Sequence, residues 1–191
     1  MNDEPIYFVT SNKGKYVEAE HVASRYGIHL LHLNTIKYEI QDNDLSKIAS
    51  TAAQAACSES EYSVVAEDSG FFVEALNGFP GPYSSHAFAT LGVHGILKLM
   101  QGIPQREAHF LSAVAYSKAG QAPICFEGIV RGTLPLAPKG NLGFGFDPIF
   151  VPANGDGRTF AELTIEEKNR SSHRATAFGK FFEWYKSNRV Q

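Results

Sequence analysis

Two adjacent acids, Glu67 and Asp68, follow an apolar run in VVAEDSG (residues 64–70). Carboxylate oxygens are hard ligands that suit Mg²⁺, which proteins often hold together with substrate phosphates. A carboxylate can also orient or deprotonate a water molecule. An Asp-Ser-Gly turn is the alternative, because these are common turn residues. A third acid, Glu39 in KYEIQ, lies between apolar residues and by itself is typical of a solvent-facing strand position. The pattern predicts carboxylates at the end of a buried strand.

A polar turn that contains glycine opens a helix directly after another apolar run, in VTSNKGK (residues 9–15). The N–H groups and the positive dipole end of a helix N-terminus favour a bound phosphate. The segment does not have the Walker A spacing. It predicts a phosphate site, and a plain capped helix start is an equal alternative. The candidate ligand residues are Thr10, Ser11, Asn12, Lys13, Gly14 and Lys15.

Aromatic rings alternate with glycines in GFGFDPIFVP (residues 143–152). Phe144 and Phe146 offer faces on which a base can stack. Gly145 allows the backbone to approach a ligand closely. Asp147 can accept hydrogen bonds from a base edge. An aromatic loop that caps the core is the more frequent meaning of phenylalanine beside glycine, so both interpretations stay open at this point.

Cationic side chains crowd the segment EEKNRSSHRA (residues 166–175). The whole chain has a formal net charge of −3, so a local cationic cluster could face phosphates or keto oxygens. A solvated basic surface is the alternative. The candidate residues are Lys168, Arg170, His173 and Arg174.

The apolar patterns predict the strands and helices that must position these motifs. Early strands alternate with helices and later strands look antiparallel, which predicts an α/β fold with a mixed sheet flanked by helices. Strands are expected over residues 5–10, 28–34, 108–117 and 122–134, and residues 62–70 are expected to form a further strand that ends at the acidic segment, together with its exit loop. Helices are expected over residues 15–26, 44–60 and 93–102, and in a last helix with Phe178, Phe181, Phe182 and Tyr185 on one face.

Length and composition restrict the class of protein. The 191 residues suit a single domain, residues 1–191, and are enough for a sizeable core. A net charge of −3 does not favour nucleic acid as a partner. No apolar run approaches the roughly 18 residues of a membrane span. Two cysteines make no disulfide framework and the N-terminus lacks a signal-peptide pattern, so we expect a cytoplasmic protein without membrane contact.

Together the motifs supply a phosphate site, a metal carboxylate, an aromatic base clamp and cationic base contacts. These are the components of a nucleoside triphosphate hydrolase. The sequence resembles the inosine triphosphate pyrophosphatase family, and its motifs are most similar to those of archaeal members. The matching segments follow the family's order and spacing and are TSNKGK (10–15), EDSG (67–70), GFPGPYS (78–84), GFGFDPIF (143–150) and ELTIEEKNRSSHR (162–174).

The resemblance implies a long, twisted mixed sheet flanked by helices, with two lobes around a central cleft. It also implies a homodimer and Mg²⁺-dependent hydrolysis of ITP, dITP and XTP to the monophosphate and pyrophosphate, which cleanses the nucleotide pool. Two alternatives remain. A Maf-like pyrophosphatase would act on pyrimidine or modified nucleotides, and a nucleotide-binding module would have no catalytic activity.

Residue by residue, the resemblance implies that residues 10–15 bind the triphosphate. Asp68 matches a general base and metal ligand, Glu39 matches a metal ligand, and Glu67 would be a further metal ligand. Ser69 matches a substrate contact.

The base pocket is implied to include a second group of residues. Many bacterial members carry a lysine where this chain has Gln54, so another cation would have to replace it, and Lys13 is the nearest in kind. The implied base-pocket residues are Phe144, Gly145, Phe146, Asp147, Lys168, His173 and Arg174.

Overall fold

A computed structural model describes residues 5–33, 35, 38–60 and 62–188. Within them, seven strands form one sheet in the order β2-β1-β3-β5-β6-β7, and β4 pairs with β3 outside that order. The strands are β1 (Ile6–Val9), β2 (Leu30–Leu33), β3 (Val64–Val73), β4 (Pro80–Gly81), β5 (Glu107–Ser117), β6 (Ile124–Thr133) and β7 (Val151–Pro152). The five α-helices are α1 (Lys13–Arg25), α2 (Leu45–Ser60), α3 (Ser84–Leu99), α4 (Ile165–Lys168) and α5 (His173–Asn188).

The sheet is mixed, as predicted. β1 runs parallel to both β2 and β3, because α1 and α2 provide the crossovers that parallel neighbours need. β5 runs antiparallel to both β3 and β6, and Asp68 is opposite Ala113 in the register of β3 with β5. The prediction of an α/β fold with a mixed sheet flanked by helices is therefore confirmed. The division into two lobes stays a prediction.

Helices cover both faces of the sheet because successive strand residues point to opposite sides. On one side Val65 packs with α1 and with the apolar face of α5, and on the other Val64 packs under the alanine-rich α2. The four aromatic residues predicted to share a face of α5 are all buried. Asp44 begins α2 as predicted, since its Oδ1 accepts hydrogen bonds from the N–H groups of Ser46 and Lys47.

The prediction that strand three ends at the acidic segment is wrong. β3 continues to Val73, which is opposite Ala108, so Glu67 and Asp68 lie in the middle of a ten-residue strand. Gly70 permits this continuation. A Cβ at that position would lie 2.6 Å from the carbonyl oxygen of Gly81, where β4 approaches β3.

The boundary predicted for the third helix, residues 93–102, is also wrong. α3 begins nine residues earlier at Ser84 and is kinked at Gly92, whose φ of 62° is not helical. In the sequence Gly92 therefore suggests that a helix starts after it, whereas in the structure it lies inside one kinked helix. Because α3 starts earlier, its first turn reaches the cavity described below.

We expect Gly128→Ala in β6 to destabilise the fold by about 1–3 kcal/mol, because overpacking a closed contact forces the backbone to shift. A Cβ there would lie 2.1 Å from the His173 oxygen and 2.5 Å from the Ala177 nitrogen, both backbone atoms of α5. Gly179→Ala is the matched control, since its Cβ would meet only the hydroxyl of Tyr26 at 3.1 Å. Urea unfolding of both variants measures the difference, and equal stabilities would contradict the prediction.

Candidate active site

A cavity of about 740 Å³ lies beside the C-terminal end of β1 and the middle of β3. The first turn of α3, the 144–147 loop and the α4–α5 junction complete its wall. Of the residues singled out in the sequence, the cavity wall includes Thr10, Ser11, Asn12, Lys15, Glu39, Asp68, Ser69, Phe144, Gly145, Phe146, Asp147, Lys168, His173 and Arg174.

Five other residues singled out in the sequence do not line the cavity. Lys13 and Gly14 are in the first turn of α1, next to wall residues, and Glu67 is fully buried behind the wall. Gln54 and Arg170 are exposed outside it. The structure therefore brings most of the predicted site together, and the individual roles remain predictions.

The start of α1 is shaped by its own polar side chains. Asn12 caps the helix, because its Oδ1 accepts a 3.1 Å hydrogen bond from the N–H of Lys15. The N–H of Asn12 in turn donates to Thr10 Oγ1 at 3.2 Å. This arrangement presents the positive end of α1 to the cavity, where an anion is favoured.

Neighbouring acids on β3 lie on opposite faces of the sheet. Asp68 is half-buried and lines the cavity, whereas Glu67 is completely buried on the α1 side. Glu39 follows β2 outside any strand and also lines the cavity. The described residues contain no group of three or more His, Cys, Asp and Glu side chains that could hold a metal. Glu39 and Asp68 still fit Mg²⁺, which is commonly held by one or two carboxylates together with substrate phosphates.

Glu67 belongs to a buried ion-pair cluster. Its Oε2 lies 2.9 Å from Lys15 Nζ, and its Oε1 lies 3.1 Å from Arg174 Nη2. Ser112 Oγ donates a further 2.7 Å hydrogen bond to Oε1. Burial alone would raise the pKa of this carboxyl, but the positive charges of Arg174 and Lys15 outweigh burial and lower it. Glu67 is therefore a buried carboxylate that contacts two cations and a hydroxyl.

Sequence reasoning missed Glu18, which lies in α1 and is also buried. Its carboxylate accepts a 2.7 Å hydrogen bond from Lys168 Nζ and a second hydrogen bond from Arg174. Burial would raise the pKa of Glu18, but the charges of Arg174 and Lys168 lower it. Its position four residues before Val22 was the available signal, because this spacing puts both on one helix face and an acid on an apolar face needs a buried partner.

The ammonium of Lys168 has a second buried partner in Asp147, whose Oδ2 is 2.6 Å away. The same oxygen accepts a 2.9 Å hydrogen bond from the N–H of Phe144, which fixes the loop before it. The Lys168 ammonium lies 5.1 Å from the centre of the Phe144 ring, within the range of a cation–π contact. Asp147 thus ties the aromatic loop to the α4–α5 junction.

The two aromatic rings of the loop differ in setting. Phe144 is half-buried and lies over Lys168 and Arg174, so its ring borders the cavity. Phe146 is buried, stacks on Phe71 at 5.1 Å and meets Phe88 edge-on at 5.5 Å. The core-capping interpretation therefore applies to Phe146, while Phe144 keeps the geometry of a ring that could stack on a base.

Two polar atoms at the same end of the cavity have no hydrogen-bond partner among the described residues. They are Nδ1 of His173 and Nε of Arg174, and both side chains are buried. His173 stacks on Phe110 with ring centroids 4.7 Å apart. Both atoms are inaccessible to solvent, and burial costs such atoms free energy unless something bonds to them.

The first turn of α3 was not recognised as part of the site. Ser84, Ser85 and His86 line the cavity. The misplaced helix start hid them, since residues 77–85 read as a glycine- and proline-rich connection and the helix was expected only from residue 93.

Stability should depend on pH through His173. Burial lowers its pKa well below 6.5, and the charges of Arg174 and Lys168 lower it further, while Glu67 opposes them and Lys15 adds to them. The folded protein therefore keeps this ring neutral at pH values where the unfolded chain protonates it. The contribution of the neutral His173 ring to stability is fully present above pH 6.5 and is lost as the pH decreases below 6.5.

We expect the unfolding free energy to decrease more steeply between pH 6.5 and 5 in the wild type than in His173→Gln. The difference can reach about 1.4 kcal/mol per pH unit, the value for one proton. Urea unfolding at a series of pH values measures both slopes. Parallel slopes would show that protonation of His173 is not linked to folding.

Comparison with known proteins finds relatives that match nearly the whole chain. The sequence profile of the Ham1 family matches residues 6–184. A protein named dITP/XTP pyrophosphatase from Methanopyrus kandleri is 46% identical over 183 residues, which cover 96% of this chain and 97% of that protein. One of the same name from Saccharolobus solfataricus is 47% identical over 179 residues, which cover 94% and 92%.

Solved structures agree with these sequence matches. The Ham1 protein of Coxiella burnetii superposes with a TM-score of 0.84 at 26% identity, over 96% of this chain and 98% of that one. The Ham1 protein of Staphylococcus aureus superposes with a TM-score of 0.81 at 25% identity, over 95% and 98%. Sequence profile, relatives and fold together show that this chain is a member of the Ham1 family.

Proposed function

We propose that this protein hydrolyses non-standard purine nucleoside triphosphates such as dITP, ITP and XTP, releasing pyrophosphate and the nucleoside monophosphate. One observation carries the proposal. A single cavity contains a cationic helix start, the carboxylates of Glu39 and Asp68, and an aromatic end with unsatisfied polar atoms. The relatives named dITP/XTP pyrophosphatase and the family membership support this activity over a Maf-like one.

The start of α1 would bind the triphosphate. Its N–H groups, its dipole and the Lys15 ammonium favour negative charge at this end of the cavity. Lys15 is 15% exposed in its side chain, so it can reach a phosphate while it contacts Glu67. Phosphates are the same in every nucleoside triphosphate, so this end would add affinity without distinguishing bases.

Glu39 and Asp68 would hold Mg²⁺, and both line the cavity. When bound, the ion would neutralise phosphate charge and withdraw electrons from phosphorus. Asp68 extends from the middle of a rigid strand, so its carboxylate can orient the attacking water and accept its proton. The chain contributes position and charge, which are the main contributions in phosphate-ester displacement.

The opposite end would recognise the base. Hypoxanthine and xanthine carry a 6-keto acceptor, whereas adenine carries a 6-amino donor. The Nε–H of Arg174 has no hydrogen-bond partner among the described residues and is a donor only, so on reaching the base it would pair with the keto group and not with the amine. A site that loses such a buried hydrogen bond can discriminate by about 10⁴-fold. Phe144 would stack on the ring of either purine.

We expect Asp68→Asn to reduce turnover of dITP by about 10²-fold or more, the lower end for a positioned acid–base group. The substitution keeps the size of the side chain and removes the charge needed for metal and water. Pyrophosphate release from dITP, XTP, dATP and dGTP, with and without Mg²⁺, tests the activity and the variant together. Near-normal turnover of a folded Asp68→Asn protein would refute its assigned role.

We also propose that two copies of the chain associate through α3. Only Ala87 and Ile96 of this 16-residue helix are buried. Phe88 and Leu91 are more than 40% exposed on it, and so is Tyr83 just before it. Exposed apolar side chains that cluster in this way mark interaction surfaces. The family resemblance implies a homodimer, so the expected partner is a second copy of this chain.

Leu91→Asp should therefore shift the protein from dimer to monomer, because a charge would be buried in the interface. Leu136→Asp is the matched control, since Leu136 is 85% exposed outside α3. Sedimentation equilibrium measures both. A monomeric wild type, or a dimer unaffected by Leu91→Asp, would exclude α3 as the interface.

A further inference from the structure

Glu67 touches both functional ends of the cavity wall while it is itself completely buried. One carboxylate oxygen pairs with Lys15 at the phosphate end, at 2.9 Å. The other contacts Arg174 at the base end, at 3.1 Å, and Ser112 at 2.7 Å. Lys15 and Arg174 are 159 positions apart in the chain. Glu67 is thus a direct physical connection between two cations that would bind different parts of one nucleotide.

The connection belongs to a longer series in which the charge alternates. Arg174 also pairs with Glu18, Glu18 pairs with Lys168, and Lys168 pairs with Asp147. Buried charges are tolerated when they are paired, and removing one partner leaves an uncompensated charge. A change in the neutralisation of Lys15 must therefore affect how strongly Glu67 holds Arg174.

We propose that Glu67 is a positioning residue that couples triphosphate binding at Lys15 to base recognition at Arg174, and that it is not a metal ligand. This inference rests on the proposed function, because it assumes that the phosphate and base ends belong to one substrate. It replaces the sequence-based assignment of Glu67 to the metal. The neighbouring Asp68, which lines the cavity from the other face of β3, keeps that assignment.

The coupling follows from competition for one ammonium group. A bound triphosphate gives Lys15 a second anionic partner, so Lys15 neutralises less of the Glu67 charge. Glu67 then relies more on Arg174, and the attraction between them strengthens. Glu18 holds Nη1 of the guanidinium, while Glu67 and Ser69 hold Nη2. Nε is the guanidinium nitrogen left without a partner among the described residues, and because the guanidinium is planar and rigid, the contacts at Nη1 and Nη2 set its direction.

Two-site coupling is reciprocal and is measured as a change in affinity. The test uses pyrophosphate as the phosphate ligand and inosine, which carries the keto base without phosphate, as the base ligand. Calorimetry gives the inosine affinity of the wild type with and without saturating pyrophosphate, at constant Mg²⁺. We expect pyrophosphate to increase inosine affinity by about 5-fold or more, the lower end of common coupling. Adenosine should show no comparable increase.

In Glu67→Gln the increase should disappear, because the neutral amide cannot transmit the change in charge from Lys15 to Arg174. Pyrophosphate alone should bind at least as tightly as in the wild type, since a nearby negative charge is lost. Glu67→Asp is the second variant, for the case in which Glu67→Gln does not fold. It keeps the charge but is one methylene too short to contact both cations, so the coupling should disappear again.

Asp68→Asn is the matched control on the other face of the same strand. Its Mg²⁺ half-saturation should rise while the inosine coupling persists. In Glu67→Gln the Mg²⁺ half-saturation should not rise, while the inosine coupling disappears. The inference is overturned by a wild type without coupling or without inosine binding, by equal coupling in Glu67→Gln, or by weakened Mg²⁺ binding in that variant. Pyrophosphate release by the wild type tests the activity separately, because these binding measurements need no hydrolysis.

Discussion

The requirement that buried charges be paired determines more of this structure than any other interaction. Lys15, Glu67, Arg174, Glu18 and Lys168 alternate in sign through the interior, and Asp147 completes the series. An unpaired member would carry a desolvation cost of several kcal/mol. The elements that carry these residues, α1, β3, the aromatic loop and the α4–α5 junction, must therefore meet in one arrangement.

This constraint explains why the candidate site is also a structural centre. Apolar packing brings the elements close, as in the contact of α5 with Gly128 of β6 and the stacking of His173 on Phe110. Packing of this kind is non-directional, whereas ion pairs and hydrogen bonds fix orientation. The cations that would contact a nucleotide are therefore held in place before any ligand arrives. Such preorganisation reduces the reorganisation that binding or catalysis would otherwise need.

The alternation of a β-strand separates two tasks within two residues. Glu67 faces α1 and α5, where it neutralises cations, and Asp68 faces the cavity, where water and a metal could reach it. Adjacent acids in a loop would not be held apart so firmly, because a loop does not force alternate directions. The continuation of β3 beyond the acidic segment therefore matters for chemistry as well as for the fold.

The sequence by itself determined the fold class, the positions of most strands, the cap of α2 and the apolar face of α5. These features depend on apolar periodicity and on polar residues within three or four positions, which can be read locally. It also indicated about half of the residues that line the cavity, through short motifs and the family resemblance. The order of those motifs is visible along the chain even though their distances are not.

Only the tertiary structure decided what the buried acids contact. Glu18 and Arg174 are 156 positions apart, and no local pattern shows that they meet. The direction of Glu67 depended on β3 continuing past Gly70, which the antiparallel pairing with β5 enforces. The kink at Gly92 hid the early start of α3 in the same way. Each of these features is set by long-range pairing, whose free energy is gained only when distant segments are brought together.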